Sequence, residues 1–286
     1  MAKLKVAELF YSIQGEGRYM GVPSVFLRVF GCNFQCQGFG MPKGERSTEL
    51  NDVVARAHYF KDYKSLPLVS TGCDSYASWH PAFKNLSPVL DTEEITVMTK
   101  GLLPSKEWKD EHLVITGGEP LLGWQRSYPE LLDSMGPNLR ELTFETNGTQ
   151  ELTKEFRHYL LDWTLSPKHG KRGYENLTFS VSPKLSVSGE KREEAIKPDI
   201  IMQYQEIGHT YLKFVVTNEE DCNEALDVIN EYRAAGFKGN VYLMPVGGVE
   251  SVYAMNNKNV ALLAMKHGLR YSDRLQVPLF KNEWGT

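Results

Sequence analysis

Cysteine is scarce in this chain: 286 residues carry only four, Cys32, Cys36, Cys73 and Cys222. That excludes the bridge-dense framework of a small secreted domain. A chain of this length buries roughly 75% of its unfolded surface, so a fold without disulfides is expected. Long apolar runs are absent as well. No stretch reaches the roughly 18 uninterrupted apolar residues of a membrane span, and Met1-Ala2-Lys3-Leu4-Lys5-Val6 is interrupted by Glu8 too soon for a signal peptide. Both absences point to the cytoplasm, where thiols stay reduced. Long Lys/Arg runs are missing too. A balance of 32 basic against 36 acidic residues gives a net charge of −4, which argues against the cationic surface that duplex nucleic acid requires. The aromatics are scattered and form no stacking platform, and the seven histidines contain no His-x-x-x-His pair. Neither nucleic acid nor a membrane is expected as a partner.

What is present is an ordinary globular composition, 41% apolar and 24% charged. Six apolar runs read as strands: Ser24–Phe30, His112–Thr116, Glu141–Glu145, Thr178–Ser182, Tyr211–Val216 and Val241–Met244. Several are nearly all apolar, as parallel strands covered on both faces would be. Between them, Ser127 with Glu130 predicts a capping box ahead of Leu131 and Leu132, closed by Gly136. Thr217 with Glu220 predicts a second helix, striped by Cys222, Ala225, Leu226, Ile229 and Tyr232 and ending at Gly236; Cys222 therefore reads as core. A third helix runs over Val260–His267 to Gly268, and Glu190–Glu194 reads as a solvated helix start. Residues 37–111 are rich in Gly, Pro and Ser, with helices expected near Asn51–Tyr63 and Asp91–Lys100. Alternating strands and helices imply right-handed βαβ units. The fold class is α/β, and six strands suit a partial, open barrel rather than a closed one of eight.

The cysteines come first among the candidates for chemistry. Cys32 and Cys36 stand just after the first of these strands, in Phe30-Gly31-Cys32-Asn33-Phe34-Gln35-Cys36. Thiolates four apart on a loop can meet on one inorganic centre, and soft sulfur suits iron–sulfur, zinc or copper(I). Two do not complete a cluster. Cys73, in Gly72-Cys73-Asp74-Ser75-Tyr76-Ala77-Ser78-Trp79, lies thirty-seven positions beyond Cys36, a detour whose closure entropy grows only logarithmically. The spacing alone equally allows buried reduced thiols. Next come the strand ends. Leu113-Val114-Ile115-Thr116-Gly117-Gly118-Glu119-Pro120 would let a ligand approach the backbone, with Glu119 accepting from an ammonium or hydroxyl; a plain tight turn would look the same. Phe144-Glu145-Thr146-Asn147-Gly148-Thr149 repeats the arrangement one strand later, and Val181-Ser182-Pro183-Lys184 two strands later. Polar groups at the carboxyl ends of successive parallel strands mark a ligand site. Ser166-Pro167-Lys168 duplicates the last tripeptide, but Phe179-Ser180-Val181 reads as a strand leading into Ser182, which favours the later copy.

Cys-x-x-x-Cys after the first strand, followed in order by Gly-Gly-Glu-Pro, Glu-Thr-Asn-Gly-Thr and Ser-Pro-Lys, resembles the radical S-adenosylmethionine (SAM) superfamily. Within it, Phe10-Tyr11-Ser12-Ile13-Gln14-Gly15-Glu16-Gly17, Gly21-Val22-Pro23-Ser24 and Phe26-Leu27-Arg28 resemble the 7-carboxy-7-deazaguanine synthases, from about Glu8 onward. The resemblance implies a single radical SAM domain over 1–286 with a partial (β/α)6 barrel of parallel strands. It also implies a 4Fe–4S cluster on three cysteines whose open iron chelates SAM, with Mg2+ as a further cofactor. One electron from an unidentified donor would cleave SAM to methionine and a 5′-deoxyadenosyl radical. That radical would take hydrogen from 6-carboxy-5,6,7,8-tetrahydropterin, and ring contraction with loss of ammonia would give 7-carboxy-7-deazaguanine, in queuosine-type biosynthesis. A homodimer is implied as well.

The family writes its cysteines as Cys-x-x-x-Cys-x-x-Cys followed by Asp-Thr. Here Phe39 stands at the third cysteine position, and Cys73-Asp74-Ser75 with Trp79 matches what normally surrounds and follows it. Residues 37–71 are therefore read as an insertion in the cluster loop, with Cys32, Cys36 and Cys73 as ligands. Ser75 replaces a threonine and becomes the oxygen ligand for Mg2+. Carried over residue by residue, Gly72, Asp74, Gly118, Glu119, Glu145, Ser182, Pro183 and Lys184 fall on the SAM side. Ile13, Gln14, Gly15, Glu16, Arg28, Thr116 and Gln276 fall on the substrate side, Arg28 because its planar fork suits a carboxylate. Met244-Pro245-Val246-Gly247 stands where many relatives have Gln-Pro. In Arg274-Leu275-Gln276-Val277, Gln276 replaces a histidine; it can still hydrogen-bond a pterin edge but cannot take up a proton near neutral pH. Three rivals stay open: a radical SAM enzyme with another substrate, such as an activase; a scaffold that has lost its cluster, suggested by Phe39; and zinc on the same three cysteines plus water.

Overall fold

Side chains alternate across a strand with a period of two, and that alternation separates a packed face from a working face throughout this chain. The computed structural model describes residues 1–165 and 172–286. Its strands are β1 Lys3–Ile13, β2 Pro23–Val29, β3 Val89–Asp91, β4 His112–Gly117, β5 Glu141–Thr146, β6 Leu177–Val181, β7 His209–Val216, β8 Val241–Pro245 and β9 Arg270–Tyr271. Its helices are α1 Glu49–Ala55, α2 Thr92–Leu102, α3 Tyr128–Met135, α4 Lys154–Leu165, α5 Arg192–Ala195, α6 Pro198–Ile207, α7 Glu219–Ala234, α8 Glu250–Lys266 and α9 Gln276–Phe280. The sheet order is β3-β1-β2-β4-β5-β6-β7-β8-β9. From β2 through β4 to β9 the pairing is parallel, while β1 is antiparallel to both β2 and β3. Among the described residues β3 and β9 pair on one side only, so the barrel stays open.

All six expected strands are present, with ends within two residues of their expected bounds. The apolar pattern did not reveal β1, β3 or β9. In β1 the charged Lys3, Lys5 and Glu8 break the apolar run, yet two neighbouring strands hold it. The expectation that both faces are covered by helices needs correction. Val25, Leu27, Leu113, Ile115, Leu142, Phe144, Phe179, Leu212, Phe214 and Leu243 join one core with Ile95 of α2, Leu131 of α3, Trp163 of α4, Ile201 of α6, Ala225 of α7 and Val260 of α8. The residues between them face the opposite way, into a cleft.

Several local expectations change in the folded chain. The capping box at α3 does not form: the Ser127 hydroxyl donates to Lys3 O at 3.0 Å, and Glu130 accepts from Ala2 N at 3.0 Å and Thr92 Oγ1 at 2.6 Å. Tertiary partners took both members. α7 is capped by Asn218, which accepts from Asp221 N at 3.0 Å, and not by Thr217. α8 starts ten residues before its expected beginning because Asn256, Asn257 and Lys258 dilute its apolar stripe. α1 is shorter than Asn51–Tyr63, giving way to 3-10 turns. Cys222 is fully buried in the core, as its stripe required. Ser166-Pro167-Lys168 lies outside the described residues. Segment 37–86 builds a core of its own from Val53, Tyr63, Leu66, Val69, Tyr76 and Phe83. Trp284, near the chain end, packs edge-on against Tyr63 and Tyr76 at 5.7 and 5.5 Å. No helix among the described residues is long and apolar enough to cross a membrane.

Candidate active site

The cleft lies over the inner sheet face and the carboxyl ends of the parallel strands. Glu8, Phe10, Phe26, Arg28, Thr116, Glu145, Ser180, Lys213 and Met244 form its floor, and segment 68–75 with the terminal residues 282–286 forms its rim. At the end of β4 a side chain would have no room. Gly117 has φ +148°, and a Cβ there would lie 2.2 Å from Val29 O, so only glycine lets the turn pass this close to β2.

Two turns and one distant return bring three thiols to one wall of this cleft. Cys36 is buried, Cys32 and Cys73 are half-buried, and all three pack with Phe34, Phe39, Ala195 and Ile196. Cys36 adopts φ 51°, a left-handed conformation that few residues other than glycine accept. Glu190 supports it by accepting from Gln35 N at 2.9 Å and Cys36 N at 2.7 Å. Glu190 is thus more than part of a solvated charged run. Cys32 Sγ accepts from Phe34 N and Cys73 Sγ from Trp79 Nε1, each at 3.4 Å. Burial pushes the Cys32 thiol up to about 12 and the Cys73 thiol up to about 11, with Lys184 pulling the other way in both. Lys184 Nζ also stands 5.9 Å from the Phe39 ring centroid and 3.3 Å from Ser182 Oγ. Among the described residues no three His, Cys, Asp or Glu side chains are arranged to hold a single metal ion. The three thiols share one small cluster.

The floor is a hydrogen-bonded polar layer. Gln14 Nε2 donates to Glu145 Oε1 and Thr116 Oγ1 to Glu145 Oε2, both at 3.1 Å. Arg28 Nε donates to Glu8 at 3.0 Å and Arg28 Nη1 to Ser75 Oγ at 3.2 Å. Burial raises the Glu8 pKa despite that guanidinium. Beside this layer four charges alternate, Lys213 and Arg274 buried, Glu16 and Asp74 half-buried. Lys213 pairs with Glu16; Glu16 accepts from Arg274 Nε at 3.2 Å and Gln276 Nε2 at 2.8 Å; Arg274 also pairs with Asp74. Burial alone would raise the Glu16 carboxyl, but Lys213 and Arg274 bring it down to about 2. Gln276 lies so close to Gly15 that a Cβ there would meet its Oε1 at 1.9 Å.

Of the residues singled out from the sequence, all but two line this cleft. The exceptions are Pro183, which is buried, and Glu119. Glu119, expected to accept from an ammonium or hydroxyl, is fully buried. It accepts from Leu121 N at 3.0 Å, Thr146 Oγ1 at 2.8 Å and Asn147 N at 2.7 Å. Burial still raises it to about 7. Its carboxyl ties the end of β4 to the end of β5. Lys213 was missed, although a lone lysine inside the apolar run Tyr211–Val216 was a legible signal, since lysine is seldom fully buried unpaired. Glu8 and Glu190 carried no comparable signal.

No protein-family model matches the chain. The 7-carboxy-7-deazaguanine synthase of Halobacterium salinarum is 32% identical, over 98% of this chain and 91% of its own length. The enzyme of the same name from Pyrobaculum aerophilum is 27% identical, over 99% and 97%. The crystal structure of QueE from Escherichia coli superposes with a TM-score of 0.53 at 18% identity, covering 94% of this chain and 93% of that one, which establishes a common fold. On the strength of the 32% identity across almost the whole of both sequences, the chain belongs to the 7-carboxy-7-deazaguanine synthase family.

Proposed function

We propose that this chain converts 6-carboxy-5,6,7,8-tetrahydropterin to 7-carboxy-7-deazaguanine with loss of ammonia, using a 4Fe–4S cluster on Cys32, Cys36 and Cys73. The observation that carries the proposal is the meeting of these three thiols, distant in sequence, on one wall of a cleft whose floor is polar. The donor set fits a cluster: sulfur ligands are tuned by N–H donors, and Phe34 N and Trp79 Nε1 supply two. When bound, the cluster and SAM supply the radical that starts the chemistry on the pterin. The chain's own residues bind, orient and exclude water. Gly118, Ser182 and Lys184 border the thiols and are assigned to SAM. Arg28 offers its fork to the pterin carboxylate, and Gln14 and Thr116 present an amide and a hydroxyl to the ring edge, while Glu145, to which both donate, stays on the SAM side. Ser75 Oγ is a hard oxygen that would serve Mg2+ along with water and the substrate carboxylate. Segment 37–71 is read as an insertion within a single domain. An external electron donor and a homodimer rest on the family resemblance alone.

The test is anaerobic iron–sulfur reconstitution of the wild type and Cys73→Ala, then reaction with SAM, a reductant and the tetrahydropterin. A cluster and product in the wild type, with neither in the variant, is the expected result. A wild type that cleaves SAM but leaves the pterin untouched would refute the substrate, and one that binds no iron would refute the cluster.

A further inference from the structure

The three-thiol reading leaves open what holds the third thiol still. Cys73 follows a long detour, and a cluster needs its ligands fixed together. The detour closes on itself: Gly72 N donates to Phe39 O at 2.7 Å and Ser47 N to Gln37 O at 2.8 Å. Its returning strand of chain, Ser70-Thr71, belongs to no sheet. Instead its donors gather on one carboxylate, that of Glu49 in the first turn of α1. Ser70 N lies 3.0 Å from both Glu49 oxygens, Ser70 Oγ 2.9 Å from Oε2, Thr71 N 2.9 Å and Thr71 Oγ1 3.0 Å from the same oxygen. Ser47 Oγ, 2.6 Å from Thr71 Oγ1, also accepts from Glu49 N at 3.2 Å. The carboxylate is anchored from below, because Val53 of the same helix is buried in the small core of the segment.

We propose that Glu49 is a positioning residue: it clamps Ser70 and Thr71 and thereby sets Cys73 for the cluster, an inference that rests on the ligand reading above. An ionised carboxylate only accepts and can take several donors at once, and charge-assisted bonds are about twice as strong as neutral ones. Burial alone would raise its pKa, yet the Ser70 and Thr71 donors hold it below the usual value, as expected of a working clamp. Glu49 does not line the cleft, so it acts on the chemistry only through the turn that ends at Cys73. Glu190 does the same for Cys36. Each outlying thiol thus has its own carboxylate holding the backbone in front of it.

The experiment compares wild type, Glu49→Ala, Glu49→Gln and Cys73→Ala. Readouts are iron per chain after reconstitution at limiting iron, the electron paramagnetic resonance signal of the reduced cluster, and thermal melting. In the cluster-free protein, the alkylation rate of Cys73 relative to Cys32 is followed by peptide mass. Loss of an outer-shell partner weakens metal binding by about 10–100-fold, so Glu49→Ala should lose most of its cluster and alkylate Cys73 faster, with Cys32 unchanged and the fold retained. Glu49→Gln should fall between. Wild-type iron content and an unchanged Cys73 alkylation rate in Glu49→Ala would overturn the clamp. If Glu49→Ala does not fold, the near-isosteric Glu49→Gln takes its place: reduced iron with faster Cys73 alkylation supports the clamp, and wild-type values of both overturn it. A full cluster in Cys73→Ala would instead overturn the ligand reading, and the clamp's role with it.

Discussion

Replacing Lys213 by Met removes one charge from the chain Lys213–Glu16–Arg274–Asp74. The Lys213 and Glu16 side chains are 6% and 14% exposed, so water in the cleft replaces the lost partner only in part. Removing one member of a buried pair costs about 3–5 kcal/mol. Arg274 and Gln276 remain on Glu16, which lowers the expectation to about 2–3 kcal/mol. On folding the Glu16 carboxyl goes from 4.5 to about 2, because Lys213 and Arg274 outweigh the burial that would raise it, so its ionised form stabilises the fold. The folded pKa is the lower one, so this stabilisation is present above the unfolded value and fades as pH falls from 4.5 toward about 2. Urea unfolding of the reduced, cluster-free protein, followed by circular dichroism, should therefore show a gap between wild type and Lys213→Met. The gap should be full at about pH 7 and about 1 kcal/mol smaller at about pH 3.5. A gap under about 1 kcal/mol at neutral pH, or one that does not narrow with acid, would refute the reasoning.

The fourth cysteine gives a contrasting expectation. Cys222 is fully buried in the helical core, so Cys222→Ala should keep full iron content while costing about 1 kcal/mol of stability. Gly117→Ala places a Cβ 2.2 Å from Val29 O at φ +148° and should destabilise by about 3 kcal/mol. Gly123→Ala, at φ +80° in open space, should cost only about 1 kcal/mol, and thermal melts of both variants check the difference. Trp284→Ala removes the edge contacts to Tyr63 and Tyr76. It should cost about 1–2 kcal/mol and, because 282–286 rim the cleft, raise KM for the pterin more than it lowers kcat in steady-state assays.

The parallel strands were legible because their packed face is apolar without interruption and each is bounded by a turn signal. β1 was not, since Lys3, Lys5 and Glu8 interrupt it; its identity depends on β2 and β3 beside it and on Arg28 opposite Glu8. The helix caps differ for a reason of distance. Ser127 and Glu130 have the right spacing, but Ala2, Lys3 and Thr92 compete for them, and a local motif cannot reveal a distant competitor. Glu119 likewise occupies a motif position yet serves as a latch between strand ends, because its donors come from the next strand's turn.

The α/β class, the open parallel sheet, the thiols at Cys32 and Cys36 and the strand-end turns around them depend on periodicity and on short-range spacing, which a chain carries locally. Cys73 was read as the third thiol from the residues around it, and the fold packs it beside Phe39 and the other two thiols. No sequence signal showed that Glu49 and Glu190 brace the turns before Cys73 and Cys36, or that Lys213, Glu16, Arg274 and Asp74 form one charged chain. Both depend on donors and charges from segments far apart in sequence, and burial raises the cost of leaving any of them unpaired.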